Sequence, residues 1–336
     1  MNTSRTALTL VTVGIVLAVI GAFFASNYIL YVATAAAWLA VLAISFDVLI
    51  GYTGYLSLAH GALYGVGAYA TANLTSKYGV NFWLALLLSG IIAAAVGTFV
   101  AGLAFRTRGL YFAVLTLGIG LIGYQLFVVL EIWTGGIMGF VGIPSPPQPF
   151  GLEMDQSRYN LLLTLLFVWI TYLASFIFVR SPIGVACIAI REDQTLARAV
   201  GMKINEARLS AFAFSSFFAG IAGSLFASMS NFVGPDSFNV LTAGFQLVVT
   251  VVVGGMGTLW GPILGAILLT SLPEVLRGAS HYSLLAYGIM LLVVIMFAPR
   301  GLAGMLRFIG GKLRPAPKVV PEPPTQASKT VEKARP

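Results

Sequence analysis

The sequence predicts an all-α, polytopic bundle of membrane helices, about ten in number, with broken or re-entrant glycine-rich junctions. Three observations predict it. The 336-residue chain is 58% hydrophobic and 9% charged, and its mean hydropathy is +0.93. Its apolar runs recur at close to the ~20 residues that a helix needs to cross a hydrocarbon core. They are rich in Leu, Ala, Ile, Val, Phe and Gly and lack the alternating ~10-residue segments of a membrane barrel, the other structure that satisfies its backbone in lipid.

In chain order the runs cover residues 7–25, 31–50, 55–73, 82–104, 110–131, 160–179, 209–230, 241–254, 259–276 and 282–298. The first follows one arginine and is longer than a signal-peptide core, so it reads as a retained helix. With the N-terminus placed in the cytoplasm, the inner loops hold Arg5, Arg106, Arg108, the group from Arg180 to Arg208, and the tail from Arg300 onward. Only Lys77, Arg158 and Arg277 fall outside, so sixteen of the nineteen basic residues lie on one side, as the positive-inside rule requires. That places the C-terminus inside too. A pI near 9.7 then reflects orientation and attraction to anionic membrane lipids, and no nucleic acid is implied. The single Cys187 permits no internal disulfide and no cysteine metal cluster, and nothing in the chain calls for a metal or cofactor.

Residues 1–309 thus form one transmembrane domain. From Gly310 to Pro336 the chain is proline-rich, of mixed charge and without aromatics, which predicts a disordered cytoplasmic tail. The external connection 132–159, with GGIMGFVGIPSPPQPFGLEMDQ, predicts an ordered irregular surface: a rigid cap or a face for a partner.

One stretch breaks the apolar character. AIREDQTLARAVGMKINEAR, residues 189–208, has seven charged residues in twenty. Ser181-Pro182 is a helix-start pair, Asp193 a second start, and Gly201 sits where a left-handed cap belongs. Leu196, Ala197 and Val200 form a small apolar face with a charged rim. The loop 181–208 therefore reads as one or two short helices on the cytoplasmic surface, a solvated loop or a docking element for another protein.

Glycine marks a second feature. VLIGYTGYL (48–56) and VVVGGMGTL (251–259) place Gly51 and Gly54, and Gly254 and Gly257, at the same offsets, each between two apolar runs on the cytoplasmic side. Such paired breaks point to a central site and imply a parallel repeat. Polar residues within runs are further candidates: Asp47, Ser57, His60, Asn73, Thr116, Gln125, Gln246 and Thr250. Of these Ser57, His60, Thr116 and Gln246 join the four glycines as path candidates, each weighed against a plain helix-to-helix hydrogen bond.

Six segments carry a resemblance. GYTGYLSLAHGALYGVGAYA (51–70), RTRGLYFAVLTLG (106–118), WTGGIMGFVGIP (133–144), SPIGVACIAIREDQTLARAVGM (181–202), GGMGTLWGPILGAILLT (254–270) and APRGLAGM (298–305) resemble, in order and spacing, the LivM-type permeases of high-affinity branched-chain amino acid ABC importers. The resemblance implies a permease subunit in the bacterial inner membrane that moves leucine, isoleucine and valine inward. It implies a second, LivH-type permease, two ATP-binding subunits and a periplasmic substrate-binding protein as partners. It also makes loop 181–208 the coupling element, with Arg191, Glu192, Asp193, Leu196, Ala197 and Gly201 as its contact residues. Relative to the Glu-Ala-Ala, three residues, Gly motif of importers, Thr195 and Leu196 depart while Ala197 and Gly201 match.

Other readings compete. Permeases for urea, amides or aromatic acids share the wider family, and no residue here separates them. An ion-coupled transporter needs intramembrane charge, for which Asp47 alone stands as a candidate. An intramembrane enzyme needs a nucleophile with a base or a metal cluster, and the chain has two histidines and no H-E-x-x-H. No phosphate loop occurs, since Gly311-Lys312 is followed by Leu, so the chain is expected to be no enzyme and to draw ATP energy from a separate subunit.

Overall fold

The computed structural model of the chain describes residues 2–148, 154–276, 288 and 301–305. Twelve helices order these residues: α1 (Asn2–Ala22), α2 (Asn27–Thr53), α3 (His60–Ser76), α4 (Phe82–Ala104), α5 (Leu110–Val129), α6 (Glu131–Thr134), α7 (Gln156–Arg180), α8 (Pro182–Glu192), α9 (Gln194–Ala199), α10 (Ile204–Ser230), α11 (Phe245–Gly254) and α12 (Gly261–Leu276). Two short strands, β1 (Phe140–Val141) and β2 (Phe232–Val233), pair antiparallel with Phe140 opposite Val233.

Five helices, α2, α4, α5, α7 and α10, are long and apolar enough to cross a membrane, and residues 8–22, 240–254 and 261–274 form shorter apolar helices. The expected count of about ten spans is not reached among the described residues. Nine of the ten apolar runs coincide with helical segments, but the third starts late, at His60, because residues 54–59 are not helical. The tenth run, 282–298, and the tail 310–336 lie outside the described residues.

The core sits where α2 and α10 meet α3, α4 and α7. Residues Val41 to Leu49 of α2 are all buried. Glycine lets the backbones close: a Cβ on Gly67 would strike the Gly220 backbone, and one on Gly223 would lie 2.7 Å from Ala68 N. A Cβ on Gly97 would lie 2.5 Å from Ser216 Cβ. With no hydrophobic force between helices in lipid, such close approach supplies the packing energy.

Two breaks enter the bundle from opposite ends. After α2 the chain turns at Gly54 (φ 76°) and runs without regular structure to a turn at residues 58–59, where Ala59 already has helical angles. Tyr55 packs on Phe112, Leu58 N–H donates to Thr116 Oγ1 at 3.2 Å, and a Cβ on Gly120 would lie 3.1 Å from Leu58 O. Gly120 is ten residues into α5, so the break climbs about 15 Å, half of a ~30 Å hydrocarbon core. From the other end, Asn231 (φ 55°) turns the chain after α10 into β2, a 3-10 turn at Pro235–Phe238 and a π-turn at Val240–Gly244 that leads into α11. The two breaks touch: a Cβ on Gly61 would lie 3.1 Å from Ala243 Cβ, and one on Gly244 would lie 3.1 Å from Leu58 O.

Hydrogen bonds tie the described residues of connection 132–159 to the helices. Asn231 Nδ2 donates to Ile143 O at 2.7 Å and Ser145 Oγ at 2.9 Å, while Asn73 Nδ2 donates to Trp133 O at 2.6 Å. The Lys77 ammonium bonds Ile132 O and lies 5.6 Å from the Trp133 ring centroid.

Gly223→Leu is expected to cost about 1–3 kcal/mol of stability by overpacking the α3–α10 crossing. Gly102→Leu, where a Cβ would meet nothing within 4 Å, should leave the thermal midpoint in detergent unchanged. Equal midpoints for the two variants would contradict the packing described.

Candidate functional site

The polar island folds as its capping residues require. Ser181 Oγ accepts from Gly184 N–H at 3.2 Å and opens α8 with Pro182 in the first turn. Asp193 closes α8 in extended conformation, and its Oδ1 accepts from Thr195 N–H at 2.7 Å and Leu196 N–H at 3.0 Å to open α9. Gly201, at φ 81°, ends it; a Cβ there would meet nothing within 4 Å, so it is the backbone angle that calls for glycine.

The two short helices present different faces. Leu196 and Val200, four apart, are 64% and 65% exposed. Ala197 is 3% exposed and packs into the core, so the apolar face is narrower than the sequence reading had it. The reason is geometric: neighbours on a helix point about 100° apart, so Ala197 and Leu196 cannot share a narrow stripe. Cys187 and Ile190 seat α8 against the bundle, with the Cys187 thiol donating to Ala207 O at 3.5 Å. Burial pushes that thiol up to about 11.

Arg191 reaches the other way from the stripe. Although its side chain is partly solvated, its Nη1 donates to Gly51 O at the end of α2. Its Cγ lies 3.3 Å from where a Cβ on Gly54 would stand, and its Nη1 lies 3.1 Å from where one on Gly257 would stand. Gly257 (φ 72°) in turn donates its N–H to Oδ1 of the buried Asp47 at 2.8 Å. A Cβ on Gly51 would lie 2.5 Å from Gly257 N, and one on Gly254 would lie 3.0 Å from Pro262 N. Gly301 (φ 69°) closes against Gly255 at the same end. The two glycine junctions therefore meet each other and the island at one point. Their courses differ: the chain leaves Gly54 along the non-helical break and leaves Gly257 by a short turn into α12, so a parallel repeat of the structure is not seen.

The remaining candidates separate into two groups. Ser57, His60 and Thr116 are buried and brace the break. His60 Nδ1 lies 3.1 Å from Ser57 Oγ and Nε2 lies 2.8 Å from Ser215 Oγ, while the ring sits between Phe46 and Phe212 with centroids 5.0 Å away on each side. Both ring nitrogens are thus engaged within the bundle. Gln246 faces outward from α11. Glu192, Asp193 and Thr195 are exposed on the island.

Sequence reasoning missed one pair. Arg208, 2% exposed, donates to Tyr55 Oη at 2.5 Å and to Asn205 Oδ1 at 2.6 Å, and its guanidinium lies 5.0 Å from the Phe105 ring centroid. It ties the start of α10 to the break beside Gly54. An arginine standing at the start of an apolar run was the signal, and counting it as an orientation charge hid it.

A sequence profile described as "branched-chain amino acid transport system / permease component" matches residues 28–298. The chain is 35% identical to the high-affinity branched-chain amino acid transport system permease protein LivM of Escherichia coli, over 87% of this chain and 74% of that protein. It is 34% identical to LivM of Salmonella typhimurium over the same shares. LivH of Salmonella typhimurium is 25% identical over 79% of this chain and 91% of its own length. No solved structure matches.

Because the raised pKa keeps the Cys187 thiol neutral at pH 8, the folded protein should react with N-ethylmaleimide roughly a hundredfold slower than a free cysteine, or slower still. Labelling should become fast only in denaturant. Rapid labelling of the folded chain would contradict the packing of α8 on α10.

Proposed function

This chain belongs to the branched-chain amino acid transport system permease family, and from that premise we propose that it is the membrane-spanning permease subunit of a bacterial ABC importer carrying leucine, isoleucine and valine across the inner membrane. Its termini face the cytoplasm, it pairs with a LivH-type permease, and two ATP-binding subunits dock on it from inside. A periplasmic binding protein delivers substrate to the opposite end. Substrate selection before delivery fits a bundle in which many buried hydroxyls bond carbonyls of their own helix and His60 is held between Ser57 and Ser215.

The observation that carries the coupling reading is the two-faced island. Leu196 and Val200 point out, as a helix-in-groove contact requires, while Arg191 on the neighbouring helix holds Gly51 O. A charged donor on a carbonyl is worth about 1.5–3 kcal/mol when buried and less at the exposure of Arg191. That is too little to anchor a fold and enough to pass on a small displacement. Closure of the ATP-binding subunits moves α9, α8 follows as a unit through the Asp193 cap, and Arg191 shifts the end of α2 against the Gly257 turn. These are small shears of packed helices about glycine hinges.

The chain purified with its partner subunits into proteoliposomes is expected to accumulate leucine only with ATP. Uptake by the chain alone, driven by an ion gradient, would contradict the proposal. Leu196→Glu with Val200→Glu should abolish co-purification of the ATP-binding subunits while the chain keeps its thermal midpoint; retained association would remove the docking role from this stripe.

A further inference from the structure

The helices differ in what they show to the outside. On α4 the outward residues are apolar throughout: Trp83, Leu84, Leu87, Ile91, Val96 and Phe99, among others. On α5 and the segment 240–249 they are not. Gln125 and Gln246 are exposed between apolar neighbours such as Ile122, Leu126, Leu241 and Phe245. Asp236, also exposed, accepts from Tyr124 Oη at 3.0 Å.

Depth makes the contrast decisive. Tyr124 and Gln125 lie five and four residues from the outer end of α5, about 6–8 Å below it, and Gln246 lies eight residues from the inner end of α11, about 12 Å in. Two amides at such depths are costly against acyl chains and settle where another protein or water meets them. The two elements form one surface, since Val240 Cγ2 lies 2.6 Å from where a Cβ on Gly120 would stand. In addition, α5 is the least enclosed of the five long helices, with 28% of its apolar window buried against 67% for α10.

We infer that the outward faces of α5 and residues 240–249 form the seam with the second permease chain, with Gln125, Gln246 and the Tyr124–Asp236 pair set into it, and that α4 faces lipid. The inference rests on the transport reading for the identity of the occupant. A membrane-embedded chain is required because this face lies within the apolar thickness, beyond the reach of the ATP-binding subunits and of the binding protein. A polar group on the second chain would satisfy these amides as lipid cannot, and Gly118, two turns before Gln125 with nothing within 4 Å of its Cβ position, allows close approach.

The test uses the full importer in native membranes. A benzophenone attached through maleimide to Gln125→Cys, Gln246→Cys or Ile91→Cys is irradiated, with the shielded Cys187 left in place. Positions 125 and 246 are expected to join the second permease at least about tenfold more than position 91, whose adducts form with lipid. Lipid adducts alone at 125 and 246, partner adducts at 91, or adducts with a second copy of this chain would each overturn the seam. A second variant needs no probe. Gln125→Leu with Gln246→Leu should stabilise a lipid-facing surface, whereas here it is expected to reduce co-purification of the second permease; undiminished co-purification counts against the inference. ATP-driven leucine uptake by the same complex is measured beside these. Uptake without partner adducts would fail the seam and keep the transport reading, and partner adducts without uptake would do the reverse.

Discussion

The guanidinium of Arg191 joins two glycine turns that lie some two hundred residues apart in the chain. It donates to Gly51 O, it stands over Gly54 and Gly257, and Gly257 hands its own N–H to Asp47. Around that point the ends of α2, α8 and α11 and the start of α12 are held together. A side chain on Gly51 or Gly257 would force them apart, and a shorter cation at 191 would leave the Gly51 carbonyl without this donor. Cys187, Ile190 and Ala197 seat the island on the bundle by packing, and Arg191 adds the polar contact that reaches the glycine junctions.

The non-helical backbone inside the bundle is possible because protein, not lipid, surrounds it. Leu58 N–H finds Thr116, His60 spans Ser57 and Ser215, and Arg208 fixes Tyr55 where the break begins. These contacts involve α5 and α10 as well as the break itself. The opposing break, residues 231–244, meets this segment where Gly244 lies against Leu58 O and Ala243 against Gly61.

Much of this was legible beforehand. Apolar length placed nine of the runs in helical segments, and the chemistry of Ser181, Asp193 and Gly201 placed α8 and α9, because capping is decided by residues within one turn. The matched glycines located the junctions for the same local reason. What stayed hidden depends on tertiary neighbours. Ala197 turned inward, and Arg191, placed among the contact residues by the resemblance, reached back to Gly51. The late start of α3 was equally unreadable, since LSLA at 56–59 is apolar enough for a helix and is held out of one where Leu58 N–H bonds Thr116 of α5. A hydropathy count responds to composition and misses such a break.

The most direct measurement of the central claim is the number of ATP molecules hydrolysed per leucine transported by the reconstituted importer carrying Arg191→Ala. The ATP-binding subunits are expected to remain bound and to hydrolyse ATP, because the Leu196–Val200 stripe is untouched, while transport falls, so that the ratio rises about tenfold or more, a change worth ~1.4 kcal/mol of coupling. An unchanged ratio, or loss of the ATP-binding subunits from the complex, would contradict the account.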